Sequence, residues 1–151
     1  MKIISKKEKE RILNKLKEDY GIGQINGTLL ETGKGKIRLF TGNLAQEEVN
    51  RIIFNIRTEM IGIYLAKKDE NETRISFDSL SLFRNEVSKS VIEISDEDAK
   101  IWGNGEEIGT DAQNKNNGFV IIRNNGNLLG CGKIKDGQIK NFVPKERRTN
   151  C

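Results

Sequence analysis

Histidine is absent from this chain of 151 residues, which removes the commonest proton shuttle at neutral pH and the commonest metal ligand. Ser-His-Asp, Cys-His and imidazole-metal sites are thereby excluded within these residues. Cysteine is scarce: Cys131 and Cys151 alone make neither a four-thiolate zinc site nor a disulfide scaffold. No apolar run approaches the ~20 residues of a membrane span. The N-terminal stretch turns charged within six residues, at Lys6, Lys7 and Glu8, where a secretory leader needs its apolar run, so the expected setting is the cytoplasm, with no membrane partner. Aromatic residues make up 6% of the chain, which gives little support to a base-stacking platform for single strands.

Charge and periodic apolar residues are what the chain does have. Its 26 Lys and Arg against 22 Asp and Glu leave a net charge of +4, and 35% apolar content suits one modest domain or two very small ones. Ile12, Leu13, Leu16 and Tyr20 at helical spacing predict a helix capped by Ser5 and ended by Gly21. Its Lys and Glu residues read as a solvated, self-pairing face. Thr28–Thr32 and Lys36–Thr41 predict a hairpin about Gly33-Lys34-Gly35. As a phosphate loop that segment fails, because five residues separate Gly27 from Gly33 and Gly35 stands where Ser or Thr is needed. Val49, Ile52, Ile53 and Ile56 share one face of a second helix, and Met60–Ala66 and Thr73–Phe77 read as two further strands, with Asp78 or Ser79 capping a short turn. The polar stretch Arg84–Lys89 is the expected boundary between a domain at 1–88 and another at 89–151.

Charge is unevenly distributed beyond that boundary. Residues 89–111 hold Lys89 and Lys100 against seven carboxylates, a net −5, whereas residues 115–151 hold eight cations, Lys115 among them, against two carboxylates, a net +6. A strand at Val91–Ile94 leads to Ser95, an N-cap for a helix whose first turn is Asp96, Glu97 and Asp98 and whose buried side is Ala99, Ile101 and Trp102. Phe119–Arg123, Leu128–Lys135 and Gln138–Val143, joined through Asn125-Gly126 and Asp136-Gly137, predict a three-stranded meander. Curled onto that helix and strand it becomes barrel-like, which removes exposed edges. Cys131, between two glycines, reads as a small buried hydrophobe with no base beside it. No carboxylate spacing isolates an acid/base pair, so the chain is expected to be non-catalytic and to need no cofactor or metal.

The ending Gly130, Gly132, Lys133, Gly137, Ile139, Lys140, Asn141, Pro144, Lys145, Arg148 resembles the PUA-like C-terminal domain attached to rRNA cytosine-C5 methyltransferases of the Sun/RsmF kind. The run from Val91 through Trp102-Gly103 resembles the strand, acidic helix and glycine that open PUA domains generally, so the likeness covers about residues 89–150. It implies an α+β protein, a small N-terminal α+β domain followed by a PUA-like mixed β pseudo-barrel, that binds RNA. The methyltransferase core and its cysteine motifs are missing from these residues, so catalysis is not implied. The arrangement is also similar to stand-alone ribosome-biogenesis proteins of archaea and eukaryotes, and the Ile-, Lys-, Asn- and Glu-rich composition suits an archaeon.

Strand alternation supports the same reading. Lys133 and Lys135 point together, and Lys140, Lys145, Arg147 and Arg148 can extend a basic strip for phosphates, with Asn141 as a hydrogen-bond partner for ribose or backbone. Gly130 and Gly132 either leave a bare backbone track for RNA or relieve crowding at a bend. The expected function is non-catalytic binding of rRNA, or of tRNA-like structured RNA, in pre-ribosomal particles. A ribosomal subunit and an RNA-modifying enzyme are the further expected partners. The alternative is an adaptor that docks a separately encoded RNA-modifying enzyme.

Overall fold

The computed structural model describes residues 1–58, 60–69, 71–111 and 118–149. Lys115 and Cys151, which entered the sequence reading, lie outside the described residues. Two five-stranded sheets follow one another along the chain.

The first sheet takes the order β1-β2-β3-β4-β5, from Lys2–Ile3, Thr28–Thr32, Lys36–Phe40, Ile63–Asp69 and Glu72–Ile75, with every pairing antiparallel. Helix α1 (Lys6–Tyr20) begins where Ser5 Oγ accepts the Glu8 N–H and stops at Gly21, whose φ of 83° no other residue adopts easily. Ile12, Leu16 and Tyr20 are buried along one stripe of α1 and cluster with Leu29, Ile37, Ala66 and Ile75 of the sheet. The Tyr20 hydroxyl donates to the Thr73 carbonyl at 2.6 Å, satisfying its one polar atom inside the core. A bulge opposite Ile37/Arg38 turns both Leu65 and Ala66 inward, which re-aims the strand so that Tyr64 and Lys67 share the outer face.

Several boundaries differ from the sequence expectation. Strand β4 starts at Ile63 because Gly62 adopts a φ of 74° just before it. Phe77 belongs to a short helix α3 (Phe77–Leu80) instead of a strand: Ser76, neither Asp78 nor Ser79, is its cap and accepts the Ser79 N–H at 3.2 Å. Helix α2 (Gln46–Asn55) forms as expected but buries only Val49.

The second sheet has the order β6-β8-β9-β10-β7, from Val91–Glu93, Phe119–Asn124, Asn127–Lys135, Gln138–Asn141 and Ile108–Gly109. Strand β6 runs parallel to β8, and the rest is antiparallel. Strands β1 and β7 carry too few residues for a sequence signal, and β10 ends at Asn141, where that side chain accepts the Val143 N–H. Helix α4 (Asp96–Gly103) is capped by Ser95 and lays Trp102 across Val120, Ile122, Ile134 and Ile139. Ile101, expected on the buried side, is 39% exposed. The opposite face of this sheet is not independent of the first: Ile121 and Cys131 are buried in the cluster built by α1 and β5.

Candidate nucleic-acid interface

Side chains two apart on a strand, or directly opposite on a neighbouring strand, share a face. Lys133 pairs with Lys140, and Lys135 with Gln138, across β9 and β10, so all three lysines stand on the face opposite Trp102. No ion pair or side-chain hydrogen bond among the described residues engages Lys135 or Lys140, and both are exposed. Lys133 is half-buried: its ammonium meets Glu72 at 2.5 Å and lies 4.9 Å from the centre of the Phe119 ring.

The rest of the expected strip is elsewhere. Asn141 is turned inward, where its amide donates to the carbonyls of Trp102 (2.8 Å) and Glu106 (3.0 Å), a bracket tying α4 to β10. Arg148 donates to the Val143 carbonyl at 3.3 Å and lies over Gly105, where any Cβ would collide with its guanidinium. Arg147 pairs with Asp78 at 3.1 Å and, with Trp102 and Thr149, lines an open groove of about 640 Å³ on the α4 side. Lys145 opens the 3-10 turn Lys145–Arg147 that holds this tail. The acidic first turn of α4 takes none of these cations; Asp96 accepts from Asn124 and Asn125.

Gly130 and Gly132 are explained by crowding. A Cβ at Gly132 would stand 2.7 Å from the Trp102 ring and 2.4 Å from Ile139, and one at Gly130 would stand 2.8 Å from Val143. The glycines make room for the indole on the α4 side.

Sequence reasoning missed Arg74. From the outer face of β5 its guanidinium lies 4.6 Å from the centre of the Phe142 ring, and Phe142 meets Phe119 edge-on at 5.7 Å. Arg74 over Phe142 thus joins the two sheets, whereas Lys133 over Phe119 lies within the second, and both half-buried rings support these cations. Arg74 pairs in register with Lys67, and Lys67 with Lys36. The signal was available only as strand parity, which needs the β4 bulge to be known.

The thiol of Cys131 is pushed up to about 12 by burial, slightly eased by Arg74, which agrees with a packing role. Among the described residues no group of His, Cys, Asp and Glu could hold a metal ion. No described helix is long and apolar enough to cross a membrane.

Residues 89–149 match the family described as the methyltransferase RsmF PUA domain. The C-terminal unit is similar to the PUA domain of RsmF. Curated relatives carry the name ribosomal RNA small subunit methyltransferase F: that of Vibrio vulnificus is 27% identical over 142 residues, 94% of this chain and 29% of the relative. That of Aeromonas salmonicida is 25% identical over 143 residues, 93% and 28% respectively, and that of Shewanella oneidensis 28% over 103 residues, 68% and 22%. The chain therefore spans less than a third of the curated relatives it matches. Two of these alignments run well beyond the PUA-like domain into the first sheet, so the N-terminal unit shares the likeness. These relatives are bacterial, and the archaeal assignment drawn from composition finds no support.

Proposed function

We propose that this chain binds ribosomal RNA in the cytoplasm, as an accessory of rRNA modification, and supplies no catalytic group of its own. The observation that carries this reading is the match of residues 89–149 to the RsmF PUA domain. The exposed Lys135 and Lys140 of β9 and β10 support it physically, because lysines that meet phosphate release the counterions condensed on the nucleic acid. Lys133, Lys135 and Lys140 are the contacts. Arg147, Arg148 and Asn141 are engaged by Asp78, the Val143 carbonyl and α4, while Lys145, exposed at the head of the 3-10 turn, is a further contact in this reading. In this reading the chain divides at 88/89, and the first unit braces the second through Glu72 and Arg74.

The test is binding of small-subunit rRNA fragments by fluorescence anisotropy across a salt series. Tight, salt-dependent binding that falls on K135E/K140E supports the proposal; salt-independent or absent binding overturns it. One observation favours the adaptor reading instead: Phe54, Ile56 and Met60 are 82%, 60% and 70% exposed at and just beyond the end of α2. A methyltransferase captured through that patch by a protein that binds no RNA would establish it.

A further inference from the structure

We infer that the RNA-contact surface crosses onto the first sheet, where Lys36, Lys67 and Arg74 form its second wall, and that it takes the phosphate backbone of double-stranded RNA. This rests on the RNA-binding reading above. Lys36, Lys67 and Arg74 are in register on three neighbouring strands, so their side chains emerge in one row about 5 Å apart per strand. The inner face of the same strands is sealed by α1, so this row can only face outward. Lys36 lies over the Tyr64 ring at 6.0 Å from its centre, and no ion pair or side-chain hydrogen bond among the described residues engages Lys36 or Lys67.

Strand β5 is an edge strand, and it stands on the face of the second sheet. Its inner neighbours join Ile121 and Cys131, while Arg74 and Glu72 on its outer side touch Phe142 and Lys133. Two cationic walls therefore meet at a re-entrant corner, Lys36, Lys67 and Arg74 on one side and Lys133, Lys140 and Lys135 on the other. Such a corner adds the potentials of both walls. Asp69 and Glu72 lie at the end of the row, and Glu72 is already taken by Lys133, so the negative contribution is confined to the hairpin tip.

The corner is built for backbone, not bases. Single-strand readers expose aromatic faces on which bases stack. Here Arg74 covers Phe142 and Lys133 covers Phe119. An A-form duplex is recognised by its shape and its phosphates, and its two strands offer anions to both walls.

The experiment compares anisotropy binding of a labelled RNA duplex of about 20 base pairs with that of one of its strands. The proteins are the full chain, K36E/K67E and K135E/K140E, with K36Q/K67Q as the pair that keeps folding if the glutamates do not. The expected result is tighter binding of the duplex, an affinity loss of about tenfold in each reversed pair, and a salt slope lower by roughly 0.7–0.9 per phosphate contact removed. If K36E/K67E and K36Q/K67Q bind like the parent while K135E/K140E is weakened, the surface ends at the second sheet and this inference fails alone. Tighter binding of the single strand overturns the duplex assignment. If neither pair alters binding, the lysine surface is misplaced and this inference fails; if the parent binds neither RNA, the RNA-binding reading fails with it.

Discussion

The indole of Trp102 lies against the backbone of Gly132, so close that a Cβ at that position would stand 2.7 Å from its ring. Trp102 is 1% exposed and donates its N–H to the Leu129 carbonyl at 3.1 Å, so tilting away would cost it a half-buried hydrogen bond. Gly132→Ala should therefore cost about 1–3 kcal/mol by overpacking. Urea unfolding measures it, and an unchanged midpoint would mean that the indole can yield.

Alkaline pH should loosen the protein before acid does at this seam. Burial raises both Cys131, up to about 12, and Tyr20, above its usual range. Both hold their protons more tightly folded than unfolded, so their contribution is intact below about pH 9 and drains away between about 9 and 12. The limiting slope is about 1.4 kcal/mol per pH unit per group. Cys131→Ala should flatten the stability curve above pH 9 relative to the parent; parallel curves would refute the assignment.

Native Cys131 should also resist thiol reagents at pH 8, because the thiolate is the reactive form and the buried side chain withholds it. Labelling should keep pace with unfolding in urea. Rapid modification of Cys131 in the folded Cys151→Ser variant would show that the seam between the sheets opens.

The basic residues should separate into two classes. Lys140→Glu removes an exposed cation and should lower both RNA affinity and the salt slope. Arg148→Glu instead breaks a packed contact with Val143 and Gly105, and should lower the melting temperature while leaving the salt slope near that of the parent. A salt slope that falls equally in both would return Arg148 to the contact surface.

Ser76→Ala should cost about 1–2 kcal/mol. Ser76 caps α3, and the fully buried Ser79 donates onward to the Leu65 carbonyl at 2.8 Å, so losing the cap disturbs a polar chain inside the core. Thermal unfolding checks it; a loss far smaller than this would mean that α3 holds without its cap.

Where local signals sufficed, the sequence was readable. Ser5 and Gly21 bracket α1, Ser95 starts α4, and Asn125-Gly126 and Asp136-Gly137 turn the meander, because caps and turns depend on a few adjacent residues. Ser76 was missed because Phe77 continues a strand-like apolar pattern, and only the Ser79 amide reveals the cap. The lysine face of β9 and β10 followed from alternation. Arg147 and Arg148 did not join it, since Asp78 takes the one and the Val143 carbonyl the other, both far from strand alternation. Arg74 needed the bulge opposite Ile37/Arg38 and the contact with Phe142, both of which join residues far apart in the chain.

Because Ile121 and Cys131 are covered by α1 and β5, a fragment cut at Lys89 would leave that oily patch wet. Such a fragment would self-associate or require detergent, whereas the uncut protein would melt in a single transition. Evolutionary shuffling or laboratory grafting of this chain must therefore carry both halves together, with Arg74 travelling alongside Phe142 as the rivet between them.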